Sequence, residues 1–198
     1  KREPAAVESV HEPDGTLEGE PFLSTTPSSI RSPLSISPSA FPELRPAIPA
    51  DAYEIAVMSR YLIEIGLRGW SWHPDRVIKA IRARETMVLA AEAKQNLIGF
   101  AIMEFGDTRA HLSLLAVKPA HQRRGIGSQM MDWLEESALT GGISTIELEF
   151  RVSNLSARGF YHGLGYDETK TIAGYYQGTE TALKMSRDIR RHIPDRIN

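Results

Sequence analysis

Cysteine is absent from all 198 residues. That excludes a disulfide frame, a Cys-ligated metal and a thiol nucleophile. The six histidines show no H-x-x-x-H spacing, so no metal site is expected. No apolar run is long enough to span a bilayer. Neither charge sign dominates: 23 Lys and Arg against 25 Asp and Glu leave a formal net charge of −2. Such a balance gives no global signal for nucleic acid or an anionic membrane, and neither is expected as a partner. The start at Lys1 shows no secretory pattern, and a cytoplasmic setting is expected. With 41% hydrophobic residues, the chain can bury one full core.

The apolar residues are unevenly spread. Residues 1–42 are acidic at first and then rich in Ser, Thr and Pro. They bury too little to offset ordering entropy, and a disordered or extended tail is expected. Residues 43–187 carry the domain, and residues 188–198 read as a loose basic end.

Within the domain, residues 43–48 read as a first strand. Asp51 is placed to cap a helix carrying Ile55, Met58, Tyr61, Leu62 and Ile65 inward. Pro74 suits the first turn of a second helix with Val77, Ile78 and Ile81 inward. Between them Trp70 and Trp72 read either as a lid on the core or as a substrate mouth. Strands follow at 86–93, 97–105 and 109–117, with a turn at 94–96. Pro119 ends the last of these strands. Ile126, Met130, Trp133, Leu134 and Ala138 then share one helical face, which Gly141 closes. Residues 143–150 alternate, with Ile146, Leu148 and Phe150 on one face and Glu147 and Glu149 on the other. A short helix at 155–163, a strand at 166–172, a turn at 174–178 and a strand at 181–185 complete the order β-α-α-β-β-β-α-β-α-β-β. It is an α/β pattern without internal repeats.

The informative element is strand, glycine loop, helix. The first N–H groups of a helix lack internal partners and lie at the positive end of its dipole, so an anion binds there readily. Gly125 and Gly127 let the backbone turn and approach a ligand, and Arg123 and Arg124 add positive charge. Position 130 is Met, so G-x-G-x-x-G fails, and no Lys-Ser/Thr follows the second glycine as in a P-loop.

The sequence from Gln122 to Gly127, Q-R-R-G-I-G, instead resembles the Q/R-x-x-G-x-G/A acetyl-CoA signature of the GNAT superfamily of N-acetyltransferases. The stretches L-E-F-R-V-S-N (148–154) and F-Y-H-G-L-G-Y (160–166) are similar to its RimI-like members, which acetylate a ribosomal protein's N-terminal alanine. So is Gly174-Tyr175-Tyr176 before Glu180, Ala182 and Met185. The resemblance implies a mixed, mostly antiparallel sheet flanked by helices, with acetyl-CoA as co-substrate. It implies that the backbone of Leu115, Ala116 and Val117 pairs with the pantetheine arm. It implies that Arg123, Arg124, Gly125, Ile126, Gly127 and Ser128 hold the pyrophosphate, with Asn154 bonding the cofactor nearby. Tyr161 would be the general acid for the leaving thiolate and Glu149 the general base, acting through water. A backbone N–H near Val117 would steady the oxyanion. His111, with Ser113, is a second candidate for the base, or a hydrogen-bonded structural histidine.

Without cysteine the transfer is expected to be direct. An α-amine titrates near ~7.7–8.0 and a lysine near ~10.4, so roughly a tenth of the former but about one in ~2,500 of the latter is neutral at pH 7. One carboxylate relaying through water therefore suits an N-terminal amine or another weakly basic amine better than lysine. The alternatives are a small-molecule amine (amino sugar, polyamine, amino-acid derivative) and a non-catalytic acyl-CoA-binding module. A homodimer is compatible with all three. Trp70, Trp72, Tyr175 and Tyr176 are candidates to line the acceptor groove.

Overall fold

The computed structural model describes residues 42–192. The expected tail at 1–42 lies outside the described residues except for Pro42, and so do residues 193–198. In chain order the main elements are β1 (Glu43–Pro46), α1 (Ala52–Leu62), α2 (Pro74–Arg82), β2 (Thr86–Ala93), β3 (Asn96–Phe105), β4 (Arg109–Val117), α3 (Ile126–Thr140), β5 (Thr145–Arg151), α4 (Leu155–Gly163), β6 (Asp167–Tyr176) and β7 (Glu180–Asp188). The strands form one sheet in the order β1-β2-β3-β4-β5-β7-β6. Only β4 and β5 pair in parallel, as expected of strands joined through a crossover helix.

The sheet divides the core in two. On one side it packs against α3 and α4 through residues such as Met103, Met130, Leu134, Leu148 and Met185. On the other it packs against α1 and α2 through Ile55, Val77, Phe100 and Ile102. The second set covers only β2, β3 and the end of β4. Glu147, Glu149 and Lys184, on β5 and β7, therefore stand on sheet surface that no helix covers.

A bulge in β4 shapes everything downstream. Ile102 pairs with Leu114 while Met103 pairs with Leu112, leaving Ser113 as the extra residue. Leu112 and Leu114, two apart, would share a face in a regular strand. Instead Leu112 enters the α3 side of the core and Leu114 the α1 side. Pairing between β4 and β5 stops at the same point, with Leu112 opposite Leu148.

Several expectations need correction. Tyr61 and Ile65 do not point inward: they are exposed, because α1 ends at Leu62 and its buried row runs Ile55, Ala56, Met58, Ser59. Asp51 stands at the cap position, but its carboxylate accepts from the Arg45 guanidinium and the Ile48 N–H instead of capping the helix. β6 reaches Tyr176, so the hairpin turn lies later than 174–178 suggested, on Gln177 and Gly178, both with positive φ. The segment from 188 is not wholly a loose end. β7 runs to Asp188, and Ile189 is buried, its N–H donating to the Ser144 carbonyl at 2.9 Å.

Candidate active site

Beyond Leu112 the facing edges of β4 and β5 are not paired with each other. The result is a gap between residues 114–117 and 149–151. The Lys118 N–H donates to Ile98 on β3 at 2.8 Å. By strand alternation the N–H groups of Val117 and Leu115 then face the gap. The Val117 carbonyl, on the same side, accepts from Gln122 Nε2 at 2.8 Å, which ties the loop to the strand end.

That loop has the backbone geometry of an anion site. Arg123 (φ 60°) and Gly125 (φ 78°) are both left-handed, and Gly125 caps α3. Such alternation turns successive N–H groups toward one concavity at a helix start. Arg123 and Arg124 make no ion pair with any described residue, and both are exposed. Ile126 anchors the first turn by burial, with Gly127 and Ser128 half-exposed behind it. Gly127 has a second reason that the sequence did not show. A Cβ there would stand 3.2 Å from the Phe160 ring, so the glycine lets α3 and α4 meet. Together, the unpaired strand edge, the two left-handed residues and the two free guanidinium groups fit a pantetheine arm ending in a pyrophosphate.

α4 supplies the other wall. Asn154 caps it, its Oδ1 accepting from the Ala157 N–H at 3.1 Å, which leaves its amide N–H groups to donate elsewhere. Tyr161 lies among three aromatic rings, Phe150, Phe160 and Tyr166, with centroids 5.0–5.7 Å away. Burial pushes its phenol well above the ordinary range, so it stays protonated and can donate. Its hydroxyl has no partner among the described residues.

On the open sheet face a row of polar side chains crosses four strands. Ser113 Oγ donates to Glu104 Oε1 at 3.0 Å and lies 3.3 Å from His111 Nδ1. His111 Nε2 lies 2.6 Å from Glu149 Oε2. Lys184 Nζ lies 3.5 Å from Glu149 and 2.7 Å from Glu147, which also pairs with Arg109. The hydrogen bond from His111 holds the Glu149 carboxyl below its ordinary range despite burial, with Lys184 adding to the effect. The same bond raises the His111 imidazole above its ordinary value. Glu149 thus stands ionised at the edge of the gap, and His111 is its direct partner.

Two loops flank this face, and sequence reasoning missed what holds them. Glu64 is buried, and its carboxylate accepts from Ser59 Oγ, Ser71 N, Ser71 Oγ and Trp72 N. Burial alone would raise its carboxyl, but these hydrogen bonds outweigh it and the net shift is downward. A lone Glu between Ile63 and Ile65 was the available signal. From the other side Gln177, at the β6–β7 turn, accepts from the Arg68 N–H at 2.8 Å and donates back to the Arg68 carbonyl. Of the four candidate groove aromatics, Trp72 is buried under the Arg76 guanidinium at 4.1 Å. Trp70 and Tyr175 are exposed. Burial pushes the half-buried Tyr176 phenol up to about 12.

A strand gap that ends at a glycine-containing helix start, with a phenol on one wall and a carboxylate on the other, is compatible with an acyl-CoA-dependent transferase. The chain belongs to the acetyltransferase (GNAT) family, whose model matches residues 51–166. It is therefore an N-acetyltransferase with acetyl-CoA as co-substrate. It is 36% identical over 104 residues to the ribosomal protein bS18-alanine N-acetyltransferase of Salmonella typhimurium, covering 51% of this chain and 70% of that one. It is 32% identical over 92 residues to the catalytic subunit of the N-terminal acetyltransferase B complex of Schizosaccharomyces pombe, covering 46% of this chain and 51% of that one. In fold it is similar to Ard1 from Thermoplasma volcanium, with TM-score 0.66 and 21% identity over 75% of this chain and 97% of that one. No helix among the described residues is long and apolar enough to cross a membrane.

Proposed function

We propose that the acceptor is a protein N-terminal α-amine, and that Glu149 and Tyr161 are the base and the acid of the transfer. The observation that carries this is the ionised carboxylate of Glu149 at the gap edge on an uncovered sheet face. A carboxylate is a weak base, matched to an amine already partly neutral near pH 7. The Salmonella typhimurium relative, named for N-acetylation of an alanine of ribosomal protein bS18, and the Schizosaccharomyces pombe relative, named for an N-terminal acetyltransferase complex, support the same acceptor class.

In this reading the backbone of Leu115, Ala116 and Val117 receives the pantetheine arm as an added strand. The loop amides from Arg123 to Ser128 hold the pyrophosphate, and the Asn154 amide donates to the cofactor beside it. Glu149 removes a proton from the bound ammonium through a water. As the amine attacks the thioester, the Val117 N–H donates to the carbonyl oxygen that becomes an oxyanion. Tyr161 delivers its proton to the departing sulfur and is restored by the second proton that the nitrogen loses as the amide forms. The reading puts the reaction in the cytoplasm, where a ribosomal or nascent acceptor would be met.

The test is an acceptor panel read by mass spectrometry. It sets peptides with free N-termini against the same peptides blocked at the N-terminus but carrying lysine, and against polyamines and amino sugars. Acetylation at the α-amine of free peptides is expected. Turnover of small amines with none of any peptide would replace the acceptor by a small molecule.

A further inference from the structure

The unpaired cations of the described residues gather in two places. Between β1 and β7 the side chains of Arg45, Arg109, Lys118, Arg158, Lys184 and Arg187 stand opposite carboxylates. Arg60 donates to the Leu67 and Gly69 carbonyls instead. Of the cations that make no ion pair with any described residue, Lys94 and Lys170 stand singly. Arg123 and Arg124 flank the glycine loop, where the cofactor phosphates are proposed to sit. The others are Arg68, Arg76, Lys79, Arg82 and Arg84, on α2 and the segments next to it, and all are exposed. Asp75 is the only acid from 68 to 84, so a chain of net charge −2 carries a strongly positive patch there.

The helix turns this patch into a face. Val77 is buried, and Ile78 and Ile81 pack beside it against the α1 side of the core. Arg76, Lys79 and Arg82 recur every third residue on the outward side, where neighbours stand about 5–6 Å apart at Cβ, and Arg84 follows the helix end. Arg76 is held in place: its guanidinium lies over the Trp72 ring, and Nη1 donates to the Ser71 carbonyl at 3.2 Å. Just before α2 the Trp70 indole is exposed, two residues after Arg68.

We propose that the outward face of α2 binds the phosphate backbone of single-stranded nucleic acid. The proposal goes beyond the acceptor reading and does not depend on it, since no part of it uses Glu149, Tyr161 or a peptide.

The chemistry of the face favours phosphate. All but one of its cations are arginines, whose planar guanidinium matches phosphate oxygens two at a time. Cations clustered along one helix are the electrostatic footprint of a nucleic-acid surface. The exposed Trp70 adds a ring on which a base can stack, which favours an unpaired strand over a duplex or an acidic peptide. Asp75 on the helix, Glu85 after it and Glu104 on β3 border the face. They hold the affinity to a moderate, salt-sensitive level, without reading base sequence.

The test is fluorescence anisotropy of a labelled strand of about 16 nucleotides, as RNA and as DNA, with the whole chain and saturating acetyl-CoA present. The variants are Lys79→Glu/Arg82→Glu, Lys79→Gln/Arg82→Gln and Trp70→Ala. Saturable binding is expected, with Kd in the range of about 10⁻⁴–10⁻⁶ M near physiological salt. Three or four phosphate contacts should make affinity fall about 20- to 50-fold between about 50 and 200 mM salt. The charge-reversed pair should bind at least about tenfold more weakly, with a salt slope smaller by about 1.4, and the neutral pair should lose less. Trp70→Ala should cost about tenfold with the slope unchanged. Turnover and the melting shift caused by acetyl-CoA should match the wild type in both Lys79/Arg82 pairs. Whichever strand binds more tightly identifies the sugar the face accepts. Release of the strand by acetyl-CoA would place it on the glycine loop and overturn the proposal. So would wild-type binding in the charge-reversed pair, or no saturable binding at about 50 mM salt. Tighter binding of anionic vesicles or polyglutamate than of either strand, lost on charge reversal, would assign the face to a membrane or an acidic protein and overturn it equally.

Discussion

The half of the molecule proposed to hold the cofactor and the half proposed to meet the acceptor are built by different means. The first half is β4, the glycine loop, α3, β5 and α4. It works largely through backbone: unpaired strand N–H groups, two left-handed residues and two helix starts. The second half is the α1–α2 loop, the β6–β7 turn and the open face between them. It is held by side chains from distant positions, such as Gln177 on Arg68 and the Glu64 carboxylate on Ser71 and Trp72. A backbone site constrains its sequence through glycine, proline and periodicity, and many acceptor halves can be fitted to it. On the proposed reading, the cofactor would be set by backbone geometry and the acceptor by side-chain contacts.

Substitutions that damage one half and spare the other sharpen this division. The largest effect is expected from Glu149→Gln, which should lower kcat by about 10²–10⁴-fold at an unchanged KM for acetyl-CoA, measured by thiol release. Next is Gly125→Val. The site has room for a side chain in the free protein, the nearest atom being Gln129 Nε2 at 3.8 Å, but φ is +78°. Backbone strain at the anion site should weaken acetyl-CoA binding at least tenfold by calorimetry, and the acceptor KM should hardly move.

On the acceptor side, Glu64→Gln should do the opposite. It replaces a buried four-bond carboxylate, which costs about 1–3 kcal/mol by denaturant melting, and it should raise the acceptor KM with acetyl-CoA affinity intact. Because the folded Glu64 carboxyl is depressed below 4.5, its stabilisation is present above that value and is lost as pH falls through the folded one. Acid melting of the wild type should therefore lose a component that Glu64→Gln lacks. The smallest effect is expected from Gln177→Ala, a change of a few fold in acceptor kcat/KM with no change in the melting shift caused by acetyl-CoA. A weakened cofactor in either acceptor-side variant would break the comparison.

The same division explains what could be read from the sequence. β4 and α4 fall at their expected bounds, because Pro119 and the glycines at 163 and 165 end them sharply. The loop of α3 was legible for the same reason. The β6–β7 hairpin was misplaced because Gly174-Tyr175-Tyr176-Gln177-Gly178 offers two glycines for one turn. Gly174, at φ 66°, is spent on an irregularity inside β6, where the register shifts between Ile172 and Tyr176. The outward Tyr61 and Ile65 mislead periodicity because α1 ends before the apolar spacing does. The bulge at Ser113 left no pattern in a run of leucines, yet it sets the β4 face that meets Glu149. The contact of His111 with Glu149 joins residues 38 positions apart, beyond the reach of any local signal.

The most direct test of a backbone-built cofactor half is thermal melting with increasing acetyl-CoA in the wild type, Glu149→Gln and Gly125→Val. Saturable stabilisation is predicted, equal in the wild type and Glu149→Gln and much reduced in Gly125→Val, with free acetate producing none. No shift in the wild type at millimolar acetyl-CoA, or an undiminished shift in Gly125→Val, would contradict the account.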